Sequence, residues 1–122
     1  MTVTSARIAP PYSIVAVNDP ANETVPEWVD DSVLMATDSC IVIACKAEVD
    51  GETEFTLGNT REVDPGDHPI FQEELKTPSR RIVVETAEGD TILETPTSQP
   101  KTKVQIWTNS SKRPGKIIIG ID

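Results

Sequence analysis

Acids stand at every second position of the stretch Glu48-Val49-Asp50-Gly51-Glu52-Thr53-Glu54. Four carboxylates at that spacing could hold a metal ion, work as an acid–base pair, or draw in something basic. Calcium takes six to eight oxygens wrapped around a loop, more than these residues offer. Zinc favours histidine and cysteine ligands in close groups, and the chain has one histidine, His68, and two cysteines, Cys40 and Cys45. A catalytic carboxylate pair needs a cleft, a separation of about 5–9.5 Å and one raised pKa. Any acid-rich chain supplies such pairs, so the spacing alone does not favour it. Nucleophilic chemistry would need Cys40, Cys45 or a serine beside His68, which sits between turn residues in Pro65-Gly66-Asp67-His68-Pro69. The six glycines form no phosphate-cradling pattern. The expectation is therefore a protein that is not an enzyme, with no catalytic residues, no metal and no cofactor.

What remains for the acids is recognition. Over 122 residues the formal net charge is −9, which repels nucleic acid and anionic membrane surfaces and steers basic partners inward. The charge is uneven: residues 1–75 hold 15 acids and 3 bases, residues 76–122 hold 5 and 8. The bases Arg80, Arg81, Lys101, Lys103, Lys112, Arg113 and Lys116 suit ion pairing better than nucleic-acid binding on so acidic a chain. The first residues lack the basic end and apolar run of a secretion signal, and no apolar run nears a membrane span. A cytoplasmic location is expected. In an extended strand Cys40 and Cys45 would lie about 16 Å apart on opposite faces, too far for a disulfide, as two buried thiols in a reducing compartment.

These residues must be positioned by strands. β-branched runs at 12–17, 33–36, 40–47, 80–95, 103–109 and 116–122 alternate with polar turns. Residues 70–78 read ambiguously, as a strand or an irregular crossing. Eight or nine strands with no long amphipathic helix predict a single all-β domain, an antiparallel β-sandwich or jelly-roll, over residues 13–122. Residues 1–12, with Pro10-Pro11, read as a flexible arm. Val49-Asp50-Gly51 reads as a three-residue hairpin loop. That register sets Cys45 opposite Phe55, Ile43 opposite Leu57 and Lys46 opposite Glu54. Ile41, Ile43, Cys45, Phe55 and Leu57 then share the buried face, and Glu48, Glu52 and Glu54 the wet one. A second hairpin is expected to turn at Glu88-Gly89-Asp90.

Two tryptophans remain. Trp107 falls opposite Val104 and Ile106 in its strand, so it packs in the core or covers the outer face. Trp28 begins a strand region beside Asp30 and Asp31, and an aromatic ringed by acids is a common interface anchor.

Four segments resemble the competence protein J family, small bacterial proteins that inhibit a secreted or membrane-associated nuclease acting on incoming DNA. They are "PYSIVAVND", "PEWVDDSVLMATDSCIVIA", "FQEELKTPSRRIVVETAEGD" and "KVQIWTN", spread over roughly residues 10–120. The resemblance implies an all-β inhibitor of a nuclease, whose basic DNA groove it would fill with carboxylates in place of phosphates. Alternate strand positions repeat at about 6.6–6.8 Å, which suits such a decoy. The candidate partner-binding residues Glu48, Asp50, Glu52, Glu54, Asp30, Asp31 and Trp28 rest on charge and hairpin geometry. Two other readings stay open: a small-molecule or carbohydrate-binding sandwich using Trp28 or Trp107 as a stacking platform, and a self-associating structural subunit.

Overall fold

A computed structural model describes residues 3–21, 24–27, 29, 32–110 and 112–122. Its strands are β1 (Thr4–Ile8), β2 (Ile14–Asn18), β3 (Leu34–Ala36), β4 (Cys40–Ala44), β5 (Thr53–Asn59), β6 (Phe71–Lys76), β7 (Arg81–Thr86), β8 (Thr91–Pro96), β9 (Lys101–Thr108) and β10 (Lys116–Ile121). A single helical turn, α1 (Thr60–Val63), follows β5. The strands form two five-stranded sheets, ordered β1-β5-β10-β9-β6 and β3-β4-β2-β7-β8. The expected all-β sandwich is present, and every pairing is antiparallel except β5 with β10, which run parallel. No helix among the described residues is long and apolar enough to cross a membrane.

Alternation builds the core. In one sheet Phe55, Leu57, Val104, Ile106, Ile117, Ile119 and Ile121 point inward; in the other Val15, Val17, Ile41, Ile43, Ile82 and Val84 do. The register stacks them in rungs across each sheet, such as Ala6–Phe55–Ile117 and Ile41–Val17–Val84. Each rung presents a ridge of branched side chains to the opposing sheet, as sandwich packing requires.

Two expectations need correction. The segment 1–12 is not a loose arm throughout: Thr4–Ile8 pair along β5, with Ala6 and Ile8 packed against the core and Ser5 and Arg7 outward. More important, β4 and β5 do not form a hairpin. They belong to opposite sheets, so residues 45–52 cross from one sheet to the other. Ile41, Ile43, Cys45, Phe55 and Leu57 are all fully buried, as expected. They meet across the inter-sheet space rather than side by side on one sheet. The hairpin expected at Glu88-Gly89-Asp90 is present between β7 and β8, with Gly89 at φ +89°.

The connection from β5 to β6 passes over the outer face of β10 and β9. Asn59 opens it by accepting the Arg61 N–H at 3.0 Å on its side chain, a helix N-cap. The strap covers Trp107, whose indole N–H donates to the Asp67 carbonyl at 2.9 Å, leaving the residue 4 % exposed. Thr60 sits directly on Gly120: a Cβ there would lie 2.7 Å from Thr60 Oγ1 and 3.1 Å from both Thr60 Cα and Trp107 Cζ3. Gly120→Ala is therefore expected to lift the strap and destabilise the fold by about 2 kcal/mol, measured by urea denaturation.

At the other sheet, Asp19 is fully buried and accepts two backbone N–H groups, from Ala21 and Ser79, each at 2.8 Å. Nearby, the Thr77 hydroxyl donates to the Gln99 carbonyl at 2.7 Å and lies 2.9 Å from that of Thr102. These polar contacts close one end of the sandwich. The opposite end is made of loops that carry most of the candidate site.

Candidate functional site at one end of the sandwich

Three connections meet at this end: the turn Pro11–Ser13 before β2, the crossing 45–52, and the turn 109–115 between β9 and β10. Backbone hydrogen bonds hold them together. Cys45 N–H donates to Ser13 O at 2.9 Å, Lys46 N–H to Pro114 O at 3.0 Å, and Glu54 N–H to Gly115 O at 2.9 Å. Asn109 Oδ1 receives the N–H groups of Gly115 and Lys116 at 3.0 and 3.1 Å, which fixes the third turn.

Within the crossing, Glu48–Asp50 form one tight 3₁₀ turn closed by Asp50 N–H to Ala47 O and Gly51 N–H to Glu48 O. Gly51 follows at φ +114°, a backbone that other residues rarely adopt. The turn abolishes the strand spacing expected for the four acids. Glu48, Asp50 and Glu52 are exposed on a curved knob, and a regular 6.6–6.8 Å ladder of phosphate-like charges is absent there. Glu54 lies apart from them on β5, in an ion pair with Arg7 at 3.0 Å, and its cross-strand neighbour on the other side is Lys116. The expected pairing of Lys46 with Glu54 does not occur. Lys46 instead lies between Gly51 and Gly115.

The knob carries apolar side chains as well. Val49, at its apex, is 93 % exposed, and Tyr12 on the neighbouring turn is 76 % exposed. Glu48 links the two, its Oε1 accepting the Tyr12 backbone N–H at 3.1 Å. Sequence reasoning missed both. Val49 was placed in a hairpin loop, and Tyr12 at the start of a strand. The only signal was an apolar residue at the centre of an acidic turn.

The remaining candidates stand differently. Trp28, Asp30 and Asp31 lie outside the described residues. Trp107 is buried beneath the strap, so it offers no stacking platform to a sugar. His68 is exposed on the same strap. Among the described residues no group of three or more His, Cys, Asp or Glu could hold a metal ion. The basic residues are dispersed: Arg81 pairs with Glu94, Lys76 with Asp38 at 2.9 Å, and Lys112 and Arg113 sit on the turn beside the acidic knob. Lys76 beside Asp38, and Lys112 and Arg113 beside the knob, thus set bases of residues 76–122 against acids of residues 1–75. A shallow cleft of about 570 Å³, lined by Glu74, Lys76, Pro78, Gln99, Pro100 and Lys101, lies at the far end of β9.

The cysteines occupy opposite faces of their sheet, as expected, and both are free and buried. Burial raises the Cys40 thiol pKa, opposed by the Asn18 side chain. Burial pushes Cys45 from 9.0 up to about 11, opposed by the Thr53 hydroxyl and Arg113. A neutral thiol favoured only in the folded state stabilises fully below the unfolded pKa and loses that contribution as pH rises through the folded one. Stability is therefore expected to fall by about 2 kcal/mol between pH 9 and pH 11 in native-buffer denaturation series, and Cys45→Ala should flatten that slope. Neither thiol should react with a thiol reagent at neutral pH until the chain unfolds.

No family model matches the chain, and no curated protein matches it by sequence. In three dimensions it superimposes on the crystal structure of ComJ from Bacillus subtilis, an inhibitor of the DNA degrading activity of NucA, with a TM-score of 0.68 and 14% sequence identity over 97% of this chain and 93% of that one. The resemblance to the competence protein J family thus extends to the whole fold.

Proposed function

We propose that this protein is a non-enzymatic inhibitor that binds a DNA-degrading nuclease through the loop end of its sandwich. The observation that carries the reading is the full-length fold likeness to an inhibitor of that kind. The geometry of the loop end supports it. A surface that grips DNA must be basic to neutralise phosphates, and a chain of net charge −9 is steered toward such a surface. Exposed Glu48, Asp50 and Glu52 stand where three rigidly tied loops project. Glu54, held by Arg7, belongs to the supporting sheet rather than to the contact. The two unpaired, buried thiols fit a place in the cytoplasm, which forms part of this proposal. The test is calorimetric titration of the chain into purified NucA at rising salt. The proposal expects tight binding at low salt that weakens steadily as salt screens the charges; no heat of binding at low salt would contradict it.

A further inference from the structure

We infer that Tyr12 and Val49 form an apolar contact pair on the acidic knob, fitting a basic protein surface that carries an apolar pocket. This rests on the binding function just proposed and names the residues that would hold the partner once charge has brought it in.

The backbone around Tyr12 shows how the pair is presented. Ser13 N–H donates to Pro10 O at 3.1 Å, closing a turn with Pro11 second and Tyr12 third. Tyr12 has φ 62° and ψ 10°, the geometry of a type II turn, whose third position normally takes glycine or asparagine. Here a tyrosine holds it, and Ser13 follows at φ +58°. A bulky residue in the left-handed region is a rare choice. Nothing in the core requires it, since the ring is 76 % exposed. The turn is nevertheless tied firmly on both sides: Glu48 accepts the Tyr12 N–H, and Cys45 N–H donates to Ser13 O. The exposed ring thus rises from a rigid turn that is bonded to the turn carrying Val49, itself 93 % exposed.

Isolated exposed apolar residues are ordinary on protein surfaces. Two on adjoining, mutually bonded turns make a patch, and tyrosine is among the residues that most often dominate binding energy. The chemistry of the occupant follows from the rim. Glu48, Asp50 and Glu52 surround Val49 in sequence and are exposed, so a complementary surface bears cations around its pocket. Lys112 and Arg113 on the adjoining turn are exposed as well; a matching partner is less basic on that side, which fixes its orientation.

The test compares Tyr12→Gly and Val49→Ser with the wild type for inhibition of DNA degradation by NucA, together with their melting temperatures. Tyr12→Gly keeps the backbone N–H that Glu48 accepts and relieves the left-handed strain. It is expected to melt roughly 3 °C higher while needing about 30-fold more protein to inhibit. Val49→Ser should melt with the wild type and lose about tenfold. Inhibition unchanged in both variants would overturn the contact pair while leaving the inhibitor function intact. A wild type that fails to inhibit would overturn that function and this inference with it.

Discussion

Under the proposed inhibitor function, reversal of Glu48, Asp50 and Glu52 to lysine is expected to weaken binding to NucA by at least 100-fold at low salt, with the fold unchanged. All three side chains are exposed, and surface changes of this kind usually alter stability by no more than about 0.5 kcal/mol each. The backbone bonds that shape the turn, Asp50 N–H to Ala47 O and Gly51 N–H to Glu48 O, do not involve the side chains. Among the described residues, the Glu48 side chain contacts the Tyr12 N–H, and it is the one acid of the three that makes a hydrogen bond. The reversal shifts local charge by six units, so like charges would meet a basic partner at close range, where juxtaposition costs several kcal/mol. Most of the loss should appear in the association rate and should shrink in high salt. Adding Glu54→Lys is a useful contrast. It would set a third cation between Arg7 and Lys116 across three paired strands, so it should lower stability without a further loss of binding. Binding of the triple variant equal to that of the wild type would remove the knob from the interface.

The second large effect is on the fold. Phe55→Ala is expected to cost about 3–5 kcal/mol, a large share of the roughly 5–15 kcal/mol that holds a domain of this kind together. Phe55 is wholly buried where β5 lies between β1 and β10, beside Ala6 and Ile117 in the register. The small Ala6 on one flank leaves little to collapse into the void. In contrast, Val49→Ala, six residues earlier, should change stability by a few tenths of a kcal/mol, because Val49 is 93 % exposed. Urea denaturation of the two variants measures both. A loss under about 1 kcal/mol for Phe55→Ala would contradict the packing described.

The alternation of residues 41, 43, 45, 55 and 57 reported burial correctly and the pairing wrongly. Period-two patterning states which face of a strand is dry; it does not say which strand lies alongside. A hairpin and a crossing between sheets bury the same set, and the acidic loop 45–52 satisfies the turn signals of either. The crossing is decided by distant segments: β10, over 50 residues later, pairs with β5 in parallel, and Pro114 takes the Lys46 N–H. Strand β1 was illegible for a different reason. "TSARI" contributes only the half-buried Ala6 and Ile8, and an edge strand needs little more. Trp107 shows what parity can give. Its parity opposite Val104 and Ile106 leaves the core and the outer face both open; it lies on the outer face, buried under a strap that carries a single helical turn and no periodicity.

The candidate site divides the same way. Charge made Glu48, Asp50 and Glu52 visible, whereas Glu54 stands apart from them on β5, in an ion pair with Arg7. Tyr12 was hidden because its left-handed conformation depends on the Pro10 carbonyl, the Cys45 N–H and the Glu48 carboxylate closing around it. None of those contacts leaves a mark in "PPYS".

The most direct test of the proposed inhibitor function is the rate of DNA degradation by purified NucA as this protein is added at low ionic strength. Degradation is expected to stop near an equimolar ratio and to recover as salt is raised. DNA degraded at an undiminished rate in a large molar excess of the protein would contradict it.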